Sequence, residues 1–275
     1  MASPSSGLVV EEELWPFAAL PVEIIHLIVR VAAGMPRNLK TIKALNLCCK
    51  TFHSIVTPFL FQSLVVRQTL SAHSLASTLF HNPSYRQLVE RLIILDSVQS
   101  AFFPIFLELV HPTLQLHASK FIFSAHASNY GHRLPPKLIP LEGCHTMVPS
   151  RAYVNCTHFF VKEIRVWGGH VQWLDFLPKL GHLGLTCLDL VSLDASVSAV
   201  DHLIKCNVPL TSVTIFTPQL QNVDVVAGRR PSIKHLPYSV LYMSSEDLFN
   251  LWRDIEDGIM DPWDTLEQLK GIPTE

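Results

Sequence analysis

The chain is poor in charged residues and has no long apolar run. Asp, Glu, Lys and Arg make up 16% of its 275 residues, which is low for a globular protein. This predicts either extensive burial or a surface that a partner covers. The net charge of −2 gives no basic face of the kind that nucleic-acid binding requires. The most apolar run, 101–107, contains Pro104 and is far shorter than the roughly eighteen residues of a membrane span. We therefore expect no nucleic acid and no membrane as partner.

Catalytic and metal-binding motifs are also missing. The chain has neither a phosphate-binding Gly-x-x-x-x-Gly-Lys loop nor a Gly-x-Ser-x-Gly nucleophile motif. Among the fourteen histidines, the nearest candidate for zinc combines Cys144 and His145 with Cys156 and His158. These pairs lack the short, regular spacing of zinc ligands. We predict that the protein is not an enzyme and that it has no catalytic residues, no metal site and no cofactor.

The cysteines and the N-terminus bear on the compartment. Six cysteines are spread through the chain, without the density of a disulfide framework. Reduced thiols are typical of intracellular proteins, so we expect a cytoplasmic or nuclear location, or both. Residues 1–16 are largely small, polar and acidic, with Glu11, Glu12 and Glu13 in place of a basic segment. They predict a flexible tail and no signal peptide.

The stretch from Leu20 to Val31 predicts a helix with more apolar residues than one buried stripe needs. Pro21 suits the first helical turn, and Glu23 complements the helix dipole there. Its apolar residues Ile24, Ile25, Leu27, Ile28 and Val31 cover more than one helical stripe. The surplus requires a second contact, either within the chain or with a partner.

Two further short helices are predicted before residue 60. Asn38 is a suitable N-cap for the second helix, in which Leu39, Ile42, Leu45 and Cys49 have helical spacing. A third short helix is predicted to end before Pro58. Three helices in about forty residues cannot form a large core alone, so they are typical of a docking module.

These residues carry a family resemblance. Leu-Pro-x-Glu-Ile-Ile from Leu20, then Leu-x-Leu-Cys-Cys-Lys-x-Phe-His from Leu45, and Pro-Phe-Leu-Phe from Pro58 resemble an F-box, in the F-box-like form common in fungal proteins. The resemblance covers about residues 17–66, and it departs from the family at Cys48-Cys49, where Val-Cys is usual. It implies docking to the Skp-type adaptor of a cullin ubiquitin ligase. The expected partner-binding residues are Leu20, Pro21, Ile24, Ile25, Ile28, Leu45, Cys48 and Cys49.

The remainder of the chain contains a recurring apolar template. Leu70, Leu75 and Leu79 predict a helix that ends before Asn82-Pro83, and the run 92–95 predicts a buried strand. The template is six residues long and has apolar residues at its first, fourth and sixth positions. Its copies begin at Val89, Val161, Leu185 and Leu210.

The spacing of these copies resembles irregular leucine-rich repeats. The last three starts are 24 and 25 residues apart, and the first gap is 72, three times 24. We expect a solenoid of three to five turns with an insertion at 97–158, where no clean repeat is found. The alternative is that short apolar triplets recur by chance in a chain this hydrophobic.

Two helices are predicted at the C-terminus. Ser244 or Ser245 caps the first, whose apolar positions are Leu248, Leu251, Trp252, Ile255 and Ile259. The sequence Asp261-Pro262-Trp263 begins the second, which includes Leu266 and Leu269. They either cover the exposed end of the repeats or form a partner-binding face, and the sequence leaves both alternatives open.

The expected fold is α+β or α/β. It consists of the tail 1–16, an F-box-like three-helix module over 17–66 and an irregular repeat domain over 67–275 that recognises a substrate. The resemblance implies a non-catalytic substrate-recognition adaptor of an SCF-type (Skp–cullin–F-box) ubiquitin ligase, whose partners are a Skp-type adaptor, the cullin ligase and an unknown protein substrate. The alternative is a protein-binding scaffold without a ligase role, in which the F-box remnant only caps the solenoid. Exposed apolar area on the first helices favours docking, and burial of that area favours a cap.

Overall fold

The chain divides into two compact units, Met1–Leu60 and Phe61–Glu275, which we call the N-terminal unit and the sheet unit. The computed structural model describes residues 20–34, 39–95, 102–109, 115–118, 134–141, 153–162, 177–219 and 238–263. The predicted boundary, between residues 66 and 67, lies six residues further along the chain than the boundary between the units. The predicted tail 1–16 lies outside the described residues.

The three predicted N-terminal helices are α1 (Val22–Gly34), α2 (Leu39–Cys48) and α3 (Lys50–Gln62). Asn38, the expected N-cap of α2, is not among the described residues. The predicted end of the third helix before Pro58 is wrong, because α3 continues to Gln62 with Pro58 inside it. An interior proline costs about 3 kcal/mol. Packing of Phe59 and Leu60 against the core of this unit offsets that cost.

The core of the N-terminal unit is small. Only Val29, Ile42 and Val56 form its buried cluster among the described residues, with one residue from each helix. Partly buried residues pack around them: Ile25, Leu45, Phe52, Ile55, Phe59 and Leu60. Much of the apolar surface of the three helices is therefore left outside this core.

The sheet unit is built on one eight-stranded parallel sheet, so the fold is α+β. Its strands are β1 (Ser63–Val66), β2 (Arg91–Ile94), β3 (Gln115–Ala118), β4 (Lys137–Pro140), β5 (His158–Val161), β6 (His182–Thr186), β7 (Ser212–Thr217) and β8 (Tyr238–Tyr242). Their order in the sheet is the order in the chain, and every neighbouring pair is parallel. Successive strands begin 21 to 30 residues apart.

One face of the sheet forms the larger core. A row of apolar residues is in register across seven strands: Leu64, Leu92, Leu116, Leu138, Phe159, Leu183 and Val213. Three helices cover this row: α4 (Thr69–His81), α6 (Phe102–Leu109) and α7 (Leu190–Lys205). The one-turn helix α5 (Pro83–Arg86) follows α4. The predicted helix before Asn82-Pro83 and the predicted strand at 92–95 are confirmed as α4 and β2.

The opposite face is covered by the C-terminal helix α8 (Ser245–Glu256). Leu248, Leu251, Trp252 and Ile255 of α8 form a second core with strand residues of this face, which we call the α8 face. Ser244 caps the helix, since its hydroxyl accepts from the backbone N–H of Asp247. The predicted first C-terminal helix is thus confirmed, although Ile259 lies beyond its end. The predicted second helix lies mostly after Trp263, outside the described residues.

The repeat template found some strands and missed others. Its copies at Val89 and Leu210 place their later apolar positions in β2 and β7. The copy at Leu185 is wrong, because β6 ends at Thr186 and Leu190 begins α7. Asp189 starts that helix with a capping box, in which its side chain accepts from Ser192 N–H at 2.7 Å. The copy at Val161 begins where β5 ends, and its later positions lie outside the described residues.

The prediction of an insertion without repeats at 97–158 is also wrong. This stretch contains β3 and β4, which pair in register with β2 and with β5. The template also requires an apolar residue three positions before Leu116 and Leu138, where the chain has Thr113 and Pro135, so it did not recognise these strands. The expected three to five turns are likewise too few for an eight-stranded sheet.

Candidate functional site

Helix α1 carries two apolar stripes. Ile25 and Val29 belong to the inner stripe and contribute to the core of the N-terminal unit. The second stripe, which we call the outer stripe, is exposed and follows helical spacing. Its residues are Ile24, Leu27, Ile28 and Val31 of α1 together with Leu20, which lies two residues before the helix, and their exposed fractions are between 38% and 58%. A helix of ordinary amphipathic pattern would carry polar residues in these positions.

Further apolar and thiol groups are exposed where α2 meets α3. Leu47 is 85% exposed, and Cys48 and Cys49 are exposed free cysteines. The Cys48 thiol donates to the Ala44 carbonyl at 3.2 Å. The Phe52 backbone N–H donates to Cys49 Sγ at 3.5 Å, so Cys49 takes the position of an N-cap for α3. We call Leu47, Cys48 and Cys49 the α2–α3 corner.

The structure separates the predicted partner-binding residues into two groups. Leu20, Pro21, Ile24, Ile28, Cys48 and Cys49 are exposed. Ile25 and Leu45 are half-buried and pack against the small core. The predicted set omits four exposed apolar residues: Val22, Leu27, Val31 and Leu47. Helical spacing from Leu20 and Ile24 could have added Leu27 and Val31 to it.

The α8 face of the sheet is filled by aromatic packing. Trp252 of α8 lies with its ring centroid 5.2 Å from that of Phe160, and Phe160 contacts the ring of Phe216 at 6.0 Å. Gly184 makes room for this cluster, since a Cβ there would lie 2.2 Å from Phe160 Cδ2. This face is therefore occupied by the chain's own helix.

A polar row crosses the same face at the first residues of the strands. Its members are Ser63, Arg91, Gln115, Lys137, His158, His182 and Ser212, which are in register from β1 to β7. The segment that follows α8 runs along this row. The Ser63 hydroxyl donates to the Gly258 carbonyl at 3.1 Å, and the Gln115 amide donates to Asp261 at 3.4 Å. Trp263 meets the ring of His158 edge-on at 5.0 Å.

Two histidines on this face are held neutral by burial. Burial and, as a smaller effect, the charge of Arg91 together lower the pKa of His117 to about 3. Burial, His182 and Lys137 together lower the pKa of His158 to about 4. The rings of His158 and His182 stack at 4.2 Å. These groups are packed as neutral parts of the sheet.

The zinc candidate considered from the sequence is only partly visible. Cys144 and His145 lie outside the described residues. Cys156 is buried, its thiol donates to the His158 carbonyl at 3.3 Å, and burial raises its pKa. Within the described ranges, His, Cys, Asp and Glu form no group of three or more that could hold a metal ion.

In the described part of the chain, no helix is long and apolar enough to cross a membrane.

Comparisons with protein families, with curated proteins and with solved structures found no significant match to this chain. Its function is therefore inferred from its own residues and their geometry.

Proposed function

We propose that this chain is a non-catalytic substrate-recognition adaptor of an SCF-type ubiquitin ligase. The outer stripe of α1 is the observation that carries the proposal. Burying a leucine or isoleucine contributes roughly 1.5–3 kcal/mol, so a partner that covers the five residues of the stripe gains several kcal/mol. Part of that gain offsets the cost of association.

The resemblance to an F-box suggests which class of protein binds this surface. Leu20, Pro21, Ile24 and Ile28 match apolar positions of that motif and are exposed, as a docking surface requires. Ile25 and Leu45 match it as well, but they serve the small internal core. The partner we propose for the exposed residues is a Skp-type adaptor, through which the chain joins a cullin ligase in the cytoplasm or nucleus.

The sheet unit takes the role of substrate recognition in this proposal. Eight parallel strands in chain order, 21 to 30 residues apart, are compatible with an irregular leucine-rich-repeat solenoid. Such an adaptor needs no chemistry of its own. It increases the rate of ubiquitin transfer by holding the substrate at high effective concentration near the charged enzyme.

Co-purification tests the docking role. The full chain is expressed with and without a Skp-type adaptor, and a stoichiometric complex is sought on a sizing column. Ile24→Asp should abolish the complex, because it places an unpaired carboxylate in the interface. Val191→Asp is the matched control, since Val191 is 78% exposed on α7 of the sheet unit, and it should leave the complex intact.

The scaffold alternative predicts a different outcome. There Leu20, Ile24 and Leu45 would be buried against the repeats, and the chain would be monodisperse and indifferent to the adaptor. A folded Ile24→Asp protein that still forms the complex would refute the docking surface, and a wild-type chain without any complex would favour the scaffold.

A further inference from the structure

We propose that a cleft beside α8 binds a short segment of a protein substrate that carries a large apolar side chain next to a carboxylate. The cleft, which we call the α8 cleft, has a volume of about 270 Å³ and lies between α8 and the carboxyl ends of β5 and β6. Its place as a substrate site rests on the proposed function. All the residues that line the cleft belong to the sheet unit.

The packing of α8 decides where a partner can bind on this side of the sheet. Ile93, Ile139, Phe160 and Phe216 are buried beneath the helix, so the middle of the α8 face is not accessible. The surfaces that a partner can contact on this side are the outward side of α8 and the edge where the helix approaches the ends of the strands. Carboxyl ends of parallel strands are a common place for binding sites.

The α8 cleft has an apolar floor and an apolar rim. Leu248 and Trp252 line it and are only 2% and 3% exposed, whereas Phe249 and Leu188 line it with 68% and 47% of their surface exposed. An apolar cavity of about 150 Å³ accommodates benzene, so this volume holds one large side chain and part of its neighbour. A large apolar side chain would cover the rim and fill the space above Trp252.

The charges at the α8 cleft favour an anion beside that side chain. Lys162 Nζ lies 5.5 Å from the centre of the Trp252 ring and 3.9 Å from Glu256. Arg253 also lines the cleft and is exposed. Two cations and one carboxylate leave the cleft positive, and a guanidinium is well suited to bind a carboxylate. An apolar residue followed or preceded by Asp or Glu therefore matches both features.

The first experiment is a binding array with the full chain. Short peptides in a Gly-Ser background, each with two adjacent variable positions, are probed with the purified protein. We expect enrichment of Leu, Met, Phe or Trp next to Asp or Glu. Hits are then measured by fluorescence anisotropy, and replacing their acidic residue by Lys should weaken binding about five- to tenfold, as one lost or reversed charge contact near the surface implies.

Variants with matched controls locate the site. Phe249→Ala should remove binding of the apolar–acidic peptides, whereas Phe80→Ala, a similarly exposed phenylalanine on α4, should not change it. Arg253→Glu should reduce binding and shift the preference from acidic toward basic neighbours. Lys205→Glu, at an exposed position of α7, should leave the preference as it is.

Each outcome decides the proposal. No enrichment on the array, a preference for basic or uncharged partners, or binding that survives Phe249→Ala would overturn it. The array uses the chain without any adaptor, so its result is independent of complex formation on the sizing column. Peptide binding without an adaptor complex would reject the ligase role and keep the α8 cleft, and the reverse would reject the α8 cleft and keep the ligase role.

Discussion

The N-terminal unit and the sheet unit differ in what covers their apolar side chains. The N-terminal unit has three residues in its buried cluster, and it holds seven of the fourteen large apolar residues that are exposed in the described part of the chain. The sheet unit buries both faces of its sheet, one under α4, α6 and α7 and the other under α8. The N-terminal unit leaves apolar side chains exposed, and the sheet unit covers both faces of its sheet with its own helices.

Size and layering explain the difference. Three short helices have too much surface for their volume to bury every apolar side chain. A parallel sheet has two apolar faces, and both must be covered for the unit to be stable. The helices that connect its strands cover one face, and a helix from the end of the unit covers the other. The comparison can be tested by removing side chains from each region.

The largest effect is expected from the helix that covers the α8 face. Trp252→Ala should lower the free energy of unfolding by about 3–5 kcal/mol, because it leaves a cavity among Phe160 and its neighbours. Phe249→Ala on the same helix should change it by less than about 0.5 kcal/mol, since Phe249 is exposed. Urea unfolding measures both. Equal effects would mean that α8 does not cover the face as described.

The stability of the sheet unit should depend on pH through His117. Its folded pKa of about 3 lies below the ordinary value of 6.5, so the unfolded chain binds the proton first as the pH falls. The stabilising effect of the neutral ring is complete above pH 6.5 and is lost between 6.5 and 3, at about 1.4 kcal/mol per pH unit. His158, with a pKa of about 4, acts in the same direction, less strongly because it is only half-buried.

Urea unfolding at a series of pH values checks this prediction. His117→Gln should reduce the slope of stability against pH between 6.5 and 4 relative to the unsubstituted chain. Comparison of the two slopes cancels the contribution of the other titrating groups. An unchanged slope would show that His117 is not held neutral in the folded protein.

Gly184 should be the next most sensitive position. A Cβ there would overlap the Phe160 ring, so Gly184→Ala should cost about 1–3 kcal/mol through overpacking. Phe160→Leu introduced together with it should recover part of the loss, which a double-mutant cycle of unfolding free energies measures. Additive losses without coupling would contradict the role assigned to this glycine.

The smallest effect is expected on the outer stripe. Leu27→Ala should leave the free energy of unfolding unchanged within about 0.5 kcal/mol, because Leu27 is 58% exposed. Val29→Ala, two residues along the same helix, should cost about 1–2 kcal/mol because Val29 is buried. Thermal or urea unfolding distinguishes them. A large loss from Leu27→Ala would mean that the outer stripe is part of the fold.

Local signals in the sequence were sufficient for much of the secondary structure. Pro21 and Glu23 indicate the start of α1, Asn82-Pro83 the end of α4, and Ser244 the start of α8. The spacing of apolar residues did not predict the secondary structure correctly where a strand and a helix had to be distinguished over a few residues. The template assigned Leu188 and Leu190 to a strand, although Asp189 and Ser192 form a capping box there.

The sequence by itself determined that α1 has more apolar residues than one stripe can bury, because helical periodicity follows directly from residue order. It also determined that strands recur along the chain. Only the tertiary structure decided which stripe of α1 is exposed and that α8 lies on the sheet rather than at its end. Those outcomes depend on contacts between residues far apart in the chain, such as Trp252 with Phe160, and spacing along the chain carries no information about such contacts.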